Sequence, residues 1–231
     1  MISFVVPAYN EERLLPAALE AIHAAARACG LDYEIVVADD ASTDATPRLA
    51  EAGGARVVAV QHRQISRTRN AGARAARGDR LVFVDADTRV NAAVLRAAMA
   101  ALDAGAVGGG ATPVFEDGAP AWARAGIVMV VESMRLLRLA AGCFFFCERA
   151  AFEAVGGFDE RHYAGEEIVL SAALRGRGRF VILRETVLTS PRKFTSRSFG
   201  QTLWIWLRIG ARGMRGTRRR EGNEFWYDGR R

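Results

Sequence analysis

The chain has 231 residues, half of them apolar and a quarter charged, with a formal net charge of +6. That length suits one large domain, or a domain with a small appendage, and the apolar share is enough for a real core, which excludes an intrinsically disordered chain. Cys29, Cys143 and Cys147 are odd in number and lack C-x-x-C spacing, so neither a disulfide framework nor a zinc site is expected.

The opening Met1 to Pro7 has no basic n-region and reads as a strand, not a secretory leader, so a cytoplasmic protein is expected. Short apolar runs then alternate with alanine-rich amphipathic segments. Ile2 to Val6, Glu34 to Ala38, Arg56 to Val60 and Leu81 to Val84 read as strands. Between them Leu15 to Cys29, Pro47 to Ala52 and Ser66 to Ala76 read as helices, punctuated by Thr46-Pro47 at a start and by Gly30 and Gly78 at stops. This β-α-β-α order predicts an α/β fold with a doubly wound, mostly parallel central sheet.

Asn91 to Leu102 gives a further helix, after which Gly108 to Gly110 is expected to break the pattern. An apolar helix is predicted around Ile127 to Leu139. A buried strand follows at Gly142 to Cys147, then a short helix at Arg149 to Val155 and a turn at Gly156 to Asp159. Glu166 to Arg175 should be helical, with a strand at Phe180 to Leu183. No repeat or low-complexity linker interrupts the chain.

Four polar clusters fall at strand ends or in loops able to reach them: Pro7-Ala-Tyr-Asn-Glu11, Asp39-Asp-Ala-Ser-Thr-Asp44, Asp85-Ala-Asp87 and Gly165-Glu-Glu167. In an open parallel sheet, ligands collect at the carboxyl ends of strands. Two carboxylates one residue apart after a buried strand repel each other, and a hard divalent ion such as Mg²⁺ or Mn²⁺ would relieve that repulsion. Each cluster also has a plainer reading as helix cap, turn or dipole partner. Four such coincidences on one sheet edge are what point to a site.

These motifs resemble those of family 2 glycosyltransferases of the GT-A fold. The likeness rests on Val5 to Glu11, Val36 to Asp44, Arg69-Asn-Ala-Gly72, Phe83 to Asp87, Phe152 to Glu160 and Gly165 to Glu167, and covers most of residues 1 to about 195. It implies a catalytic domain over residues 1–195, with a nucleotide-binding half to about 110 and an acceptor-binding half beyond it. It also implies an inverting, single-displacement enzyme that uses a nucleoside diphosphate sugar, with UDP the default nucleotide. Pro7, Tyr9 and Glu11 would line the nucleoside loop, Asp40 would accept from the base, and Asp39 would support that loop. Arg67 and Arg69 would approach the ribose or diphosphate. Asp85 would lie by the ribose and metal shell, and Asp87 would ligate Mn²⁺ or Mg²⁺. Glu167, with Glu166 as the alternative, would be the catalytic base, although the family's usual pair is Glu-Asp.

Gln201-Thr-Leu-Trp204 lacks the arginine of the Q-x-x-R-W motif, and the chain lacks the several spans of polysaccharide synthases, so transfer of a single sugar is expected. Residues 196–231 read as an aromatic and basic helical tail. Trp204, Trp206 and an arginine cluster from Arg208 to Arg220 either pack on the domain or rest on a membrane surface, the latter suiting a lipid-linked or cell-envelope acceptor. Arg192 and Lys193, the only lysine, reach the diphosphate from a late loop or are surface charge. Nothing supports a nucleic-acid partner. A non-catalytic nucleotide-sugar-binding subunit is the competing class, and a phosphotransfer receiver domain a more distant one that leaves the Glu-Glu helix unexplained.

Overall fold

The structure, a computed structural model, describes residues 1–192, 216–219 and 221. The elements run β1 (Ile2–Ala8), α1 (Leu15–Ala28), β2 (Tyr33–Asp40), α2 (Thr46–Ala52), β3 (Arg56–Val60), α3 (Ile65–Ala75), β4 (Arg80–Val84) and β5 (Thr88–Arg89). There follow α4 (Ala92–Asp103), β6 (Ala106–Phe115), α5 (Ala121–Leu137), β7 (Phe144–Glu148), α6 (Arg149–Ala154), α7 (Glu166–Arg175) and β8 (Arg179–Thr189). The aromatic and basic tail reading falls largely outside the described residues. None of the described helices is long and apolar enough to cross a membrane.

The strands form one eight-stranded sheet in the order β3-β2-β1-β4-β7-β6-β8-β5. The first four in that order are parallel, and their register brings Ala8 beside Asp39 and Asp40 beside Val60. All the polar strand ends of the first half therefore leave the sheet on one edge. β7 is inserted antiparallel between β4 and β6, while β6 and β8 are again parallel.

Alternation along the strands feeds a core on each face of the sheet. Phe4, Val6, Phe144 and Phe146 join α1 and α4 on one face, around Leu15, Ile22, Leu95 and Leu102. Val5, Phe83, Phe145 and Cys147 point the other way, onto α3, α6 and α7, where Phe152, Phe158 and Leu170 pack. Phe83 meets Phe158 edge to face at 5.0 Å between ring centroids.

The glycine run at 108–110 does not break the pattern but lies inside β6. A Cβ built on Gly109 would come within 2.2 Å of the Val181 carbonyl oxygen, and one on Gly108 within 2.7 Å of the Phe146 oxygen. The bare backbone lets β7 and β8 approach on either side. β8 is also longer than the Phe180 to Leu183 run. Its far end pairs with the short β5, with Thr88 opposite Thr189, and this turns the chain back towards Asp87.

Candidate active site

The loops after β1 and β2 are sewn to each other. The Asn10 and Glu11 amides donate to Ser42 Oγ at 2.9 Å and Thr46 Oγ1 at 2.8 Å, and the Thr43 amide donates to Asn10 Oδ1 at 2.8 Å. Asn10 (φ 53°), Ala41 (φ 58°) and Arg63 (φ 50°) all adopt the left-handed region. Three such non-glycine residues in loops that leave the same sheet edge are strain that needs this hydrogen-bonding frame to persist. Pro7 is buried in β1 beside Ala38, so it shapes the floor. The Tyr9 ring carries the Arg63 guanidinium 4.0 Å above its centroid. Nothing in the sequence had marked Arg63.

The adjacent carboxylates Asp39 and Asp40 have opposite surroundings. Asp40 accepts from the amides of His62, Arg63 and Gln64 at 2.6, 2.9 and 3.2 Å, and from Thr68 Oγ1 at 2.9 Å, which pins the loop after β3 to the start of α3. Among the described residues, Asp39 Oδ2 accepts only a 3.3 Å contact from the Ser42 amide, and its buried Oδ1 has no partner. A buried acceptor without a donor is costly unless a ligand supplies one. The division of labour expected from the sequence, with Asp40 open to a base and Asp39 bracing the loop, is thus the reverse of how the hydrogen bonds are distributed.

Arg69 is the hub of the site's second half. It is 2 % exposed, and α3 projects it between β4 and α7. Its Nη1 donates to Glu166 at 2.7 Å, and its Nη2 donates to Asp85 at 2.7 Å and to the Gly142 carbonyl at 2.8 Å. Burial alone would lower the guanidinium's pKa, but Asp85, Glu166 and Glu167 hold it above its ordinary value. Arg67, one side of the helix away, is half exposed and pairs with Glu160 at 3.5 Å. The structure does not bring it into the cluster.

Glu166 and Glu167 open α7 behind Gly165, which caps the helix at φ 68°, a conformation glycine adopts without strain. Glu166 is buried on Arg69. Glu167 is half-buried, and its carboxyl carbon lies 3.5 Å from where a Cβ at Gly142 would stand. Burial pushes the Glu167 carboxyl up to about 8; the Glu166 charge adds to the shift, and Arg69 opposes it. A side chain at 142 would also crowd Arg69, at 3.2 Å, so glycine keeps this corner open.

Asp85 and Asp87 flank the end of β4. The Asp85 amide donates to the Cys143 carbonyl at 3.1 Å, and the Asp87 carbonyl accepts from the Ser190 amide at 3.2 Å. Arg192 grips buried Glu11 with two hydrogen bonds, of 2.7 and 2.5 Å, and its Nη2 reaches Asp87 Oδ2 at 3.1 Å. Glu11 is thereby a partner of the acidic pair, and Arg192 belongs to the site. Burial pushes the nearby Cys143 thiol well up, and the charges of Asp85 and Asp87 add to it, so it stays a neutral thiol.

Among the described residues no group of three or more His, Cys, Asp or Glu side chains is arranged around one ion. Two carboxylates at a strand end, each engaged through one oxygen by an arginine, still suit Mg²⁺ or Mn²⁺. Such ions commonly take one or two protein carboxylates and complete their shell with water and substrate phosphate. The donor set fits an ion that arrives with a diphosphate.

A curled α/β sheet with its polar strand ends gathered on the carboxyl edge is the GT-A fold, and solved structures share it. Staphylococcus aureus TarS 1-349 in complex with UDP-GlcNAc superposes with a TM-score of 0.68 at 19 % identity, over 86 % of this chain and 61 % of its own. The mannosyltransferase PcManGT from Pyrobaculum calidifontis, in complex with GDP-Man and Mn²⁺, gives 0.66 at 23 % over 90 % and 60 %. Glucosyl-3-phosphoglycerate synthase from Mycobacterium tuberculosis, in complex with Mn²⁺, UDP and glucosyl-3-phosphoglycerate, gives 0.62 at 20 % over 90 % and 76 %.

The Glycosyl transferase family 2 model matches residues 3–156, and the chain belongs to that family. Among curated relatives, the undecaprenyl-phosphate 4-deoxy-4-formamido-L-arabinose transferase of Pseudomonas paraeruginosa is 41 % identical over 98 residues, which is 38 % of this chain and 28 % of the relative. The Klebsiella pneumoniae enzyme of the same name is 39 % identical over 97 residues. The chain thus matches little more than a quarter of the length of these relatives.

Proposed function

We propose that this glycosyltransferase moves a single sugar from a nucleoside diphosphate sugar to an acceptor hydroxyl, with inversion, at the carboxyl edge of its sheet. The observation that carries the proposal is the Arg69 bridge, which ties Asp85 to Glu166 and so sets Glu167 beside the acidic strand end. Donor and acceptor sides of a displacement then share one rigid wall.

Tyr9 and the loops framed by Asn10 and Asp40 receive the nucleoside. The unpartnered Asp39 Oδ1 accepts from a ring N–H of the base. Asp85 and Asp87 would hold Mn²⁺ or Mg²⁺. When bound, the ion supplies Lewis-acid neutralisation of the departing diphosphate. Glu167, in its ionised form, takes the acceptor's hydroxyl proton as the acceptor oxygen bonds to the anomeric carbon. The bond from that carbon to the diphosphate oxygen breaks, and the electron pair leaves with the diphosphate. Glu166, held on Arg69, keeps the helix start in place and raises the basicity of its neighbour.

The relatives' printed names carry a lipid acceptor whose own acceptor group is a phosphate, and the arginine-rich C-terminal sequence suits a membrane surface. A phosphate nucleophile arrives already ionised, whereas a hydroxyl needs a base. Glu167, a carboxylate set beside the acidic strand end by the Arg69 bridge, is placed to serve a hydroxyl that needs one.

Calorimetric titration with UDP, GDP and dTDP, each with and without Mn²⁺, repeated on Asp87→Ala, tests the donor site. Metal-assisted binding of one nucleotide that is lost in the variant is the expected result. Failure of all three to bind would return the non-catalytic class to the lead.

A further inference from the structure

Arg192 already sits as a cation at the place where the donor site calls for one. Its guanidinium is locked to Glu11, which is only 4 % exposed, by a two-pronged pair of hydrogen bonds. That fork alone would satisfy a structural ion pair. The third contact, to Asp87 Oδ2 at 3.1 Å, goes beyond it. The backbone enforces it: β5 pairs with β8 at Thr88 and Thr189, and the Ser190 amide is tied to the Asp87 carbonyl, so the chain leaving β8 must pass beside Asp87.

An oxygen of Asp87 is therefore engaged by a fixed positive charge. A divalent ion on the same carboxylate would stand close to that guanidinium, and like charges at such a separation inside a protein repel strongly. An anion brought in with the ion removes the conflict, because a diphosphate has oxygens for both the metal and the guanidinium.

We propose that Arg192, anchored on Glu11, is a resident counter-cation that competes with the divalent ion for Asp87 and makes the ion's entry depend on the donor's diphosphate. The proposal deepens the donor-site reading and rests on it. Its consequence is a thermodynamic coupling: the metal binds weakly alone and well with nucleotide, by more than shared coordination would give. By linkage, the nucleotide gains from the metal by the same factor.

The test is a Mn²⁺ titration of the full chain, followed by the electron paramagnetic resonance of free Mn²⁺, without nucleotide and with saturating UDP, or whichever nucleotide binds the wild type. Wild type, Arg192→Gln, Arg192→Lys and Asp87→Ala are compared. Arg192→Gln should bind Mn²⁺ alone about fivefold or more tighter than wild type, and the gain from the nucleotide should fall by at least the same factor. Arg192→Lys keeps a charge for Glu11 but loses the planar fork, so it should fall between the two. It also carries the test if the glutamine variant does not fold around an unpaired Glu11. Unchanged Mn²⁺ affinity and unchanged coupling in whichever of the two folds would overturn the proposal while the donor site stands. Wild type that binds neither Mn²⁺ nor any nucleotide, or Asp87→Ala that binds Mn²⁺ like wild type, would overturn both.

Discussion

Arg69 and Glu166 meet at 2.7 Å in the interior, 97 residues apart in sequence and both nearly devoid of solvent. The same guanidinium holds Asp85 at 2.7 Å, so one cation from α3 balances a carboxylate from β4 and another from α7. The arrangement makes Arg69 a structural keystone, because removing the cation strands two negative groups.

Arg69→Met should therefore destabilise the protein by about 3–5 kcal/mol, the usual cost of breaking a buried pair from one side. Adding Glu166→Gln to that variant should recover part of the loss, since a neutral amide tolerates the site better than an unpaired charge. Urea unfolding of the two variants and wild type measures this. An Arg69→Met protein as stable as wild type would rule out the keystone role.

The two neighbouring aspartates should separate by assay. Asp39→Ala removes an acceptor that the described residues leave without a donor, so nucleotide affinity should drop roughly 10- to 100-fold with little change in melting temperature. Asp40→Ala removes the acceptor of four hydrogen bonds and should cost about 2–4 kcal/mol of stability. Paired calorimetry and thermal melts decide it, and the assignment fails if the stability loss follows Asp39 instead.

This pair also shows where the sequence stopped being informative. The strand ends were legible because uninterrupted apolar runs such as Leu81 to Val84 stop at carboxylates, and the placement of clusters on one edge follows from β-α-β order. Which of two adjacent carboxylates is already satisfied depends on the amides of residues 62–64, supplied by a loop whose conformation no local pattern encodes. The sequence leaves Arg192 between diphosphate ligand and surface charge, because its link to Asp87 runs through the β5–β8 pairing at 101 residues' separation. β6 is not legible in the sequence because glycine lacks the side-chain signature of a strand, and its value there is the space it leaves.

Gly109→Ala should show that value directly. Its new methyl would lie 2.2 Å from the Val181 oxygen and 2.6 Å from the Phe146 ring, and neither backbone nor packed ring yields cheaply. A loss of about 1–3 kcal/mol, or more, is expected by chemical unfolding, whereas Gly105→Ala, which meets nothing within 4 Å, should pay only for its left-handed backbone. Equal losses in the two would mean that β8 does not press on β6 as described.

In the proposed role, one proton on Glu167 links stability to catalysis. Its carboxyl is pushed from 4.5 to about 8 in the folded protein by burial and by the Glu166 charge. The folded state thus holds a proton that the unfolded chain releases near its ordinary value, so this group's contribution favours folding most at low pH and is lost as pH rises through about 8. Glu167→Gln abolishes that dependence: relative to wild type, the variant should gain about 1–3 kcal/mol, a few degrees of melting temperature, between pH 5 and pH 9. Catalysis runs the other way, because a base must be ionised. For the wild type without saturating metal, log kcat/KM should climb with pH up to about 8, and a divalent ion at Asp85 and Asp87 should move that limb to lower pH by favouring the carboxylate. Glu167→Gln should lower kcat by about 10²-fold or more while nucleotide affinity is retained. A flat pH profile together with undiminished turnover in the variant would transfer the base role away from Glu167 and leave a nucleophile that needs no deprotonation, such as a phosphate, as the acceptor.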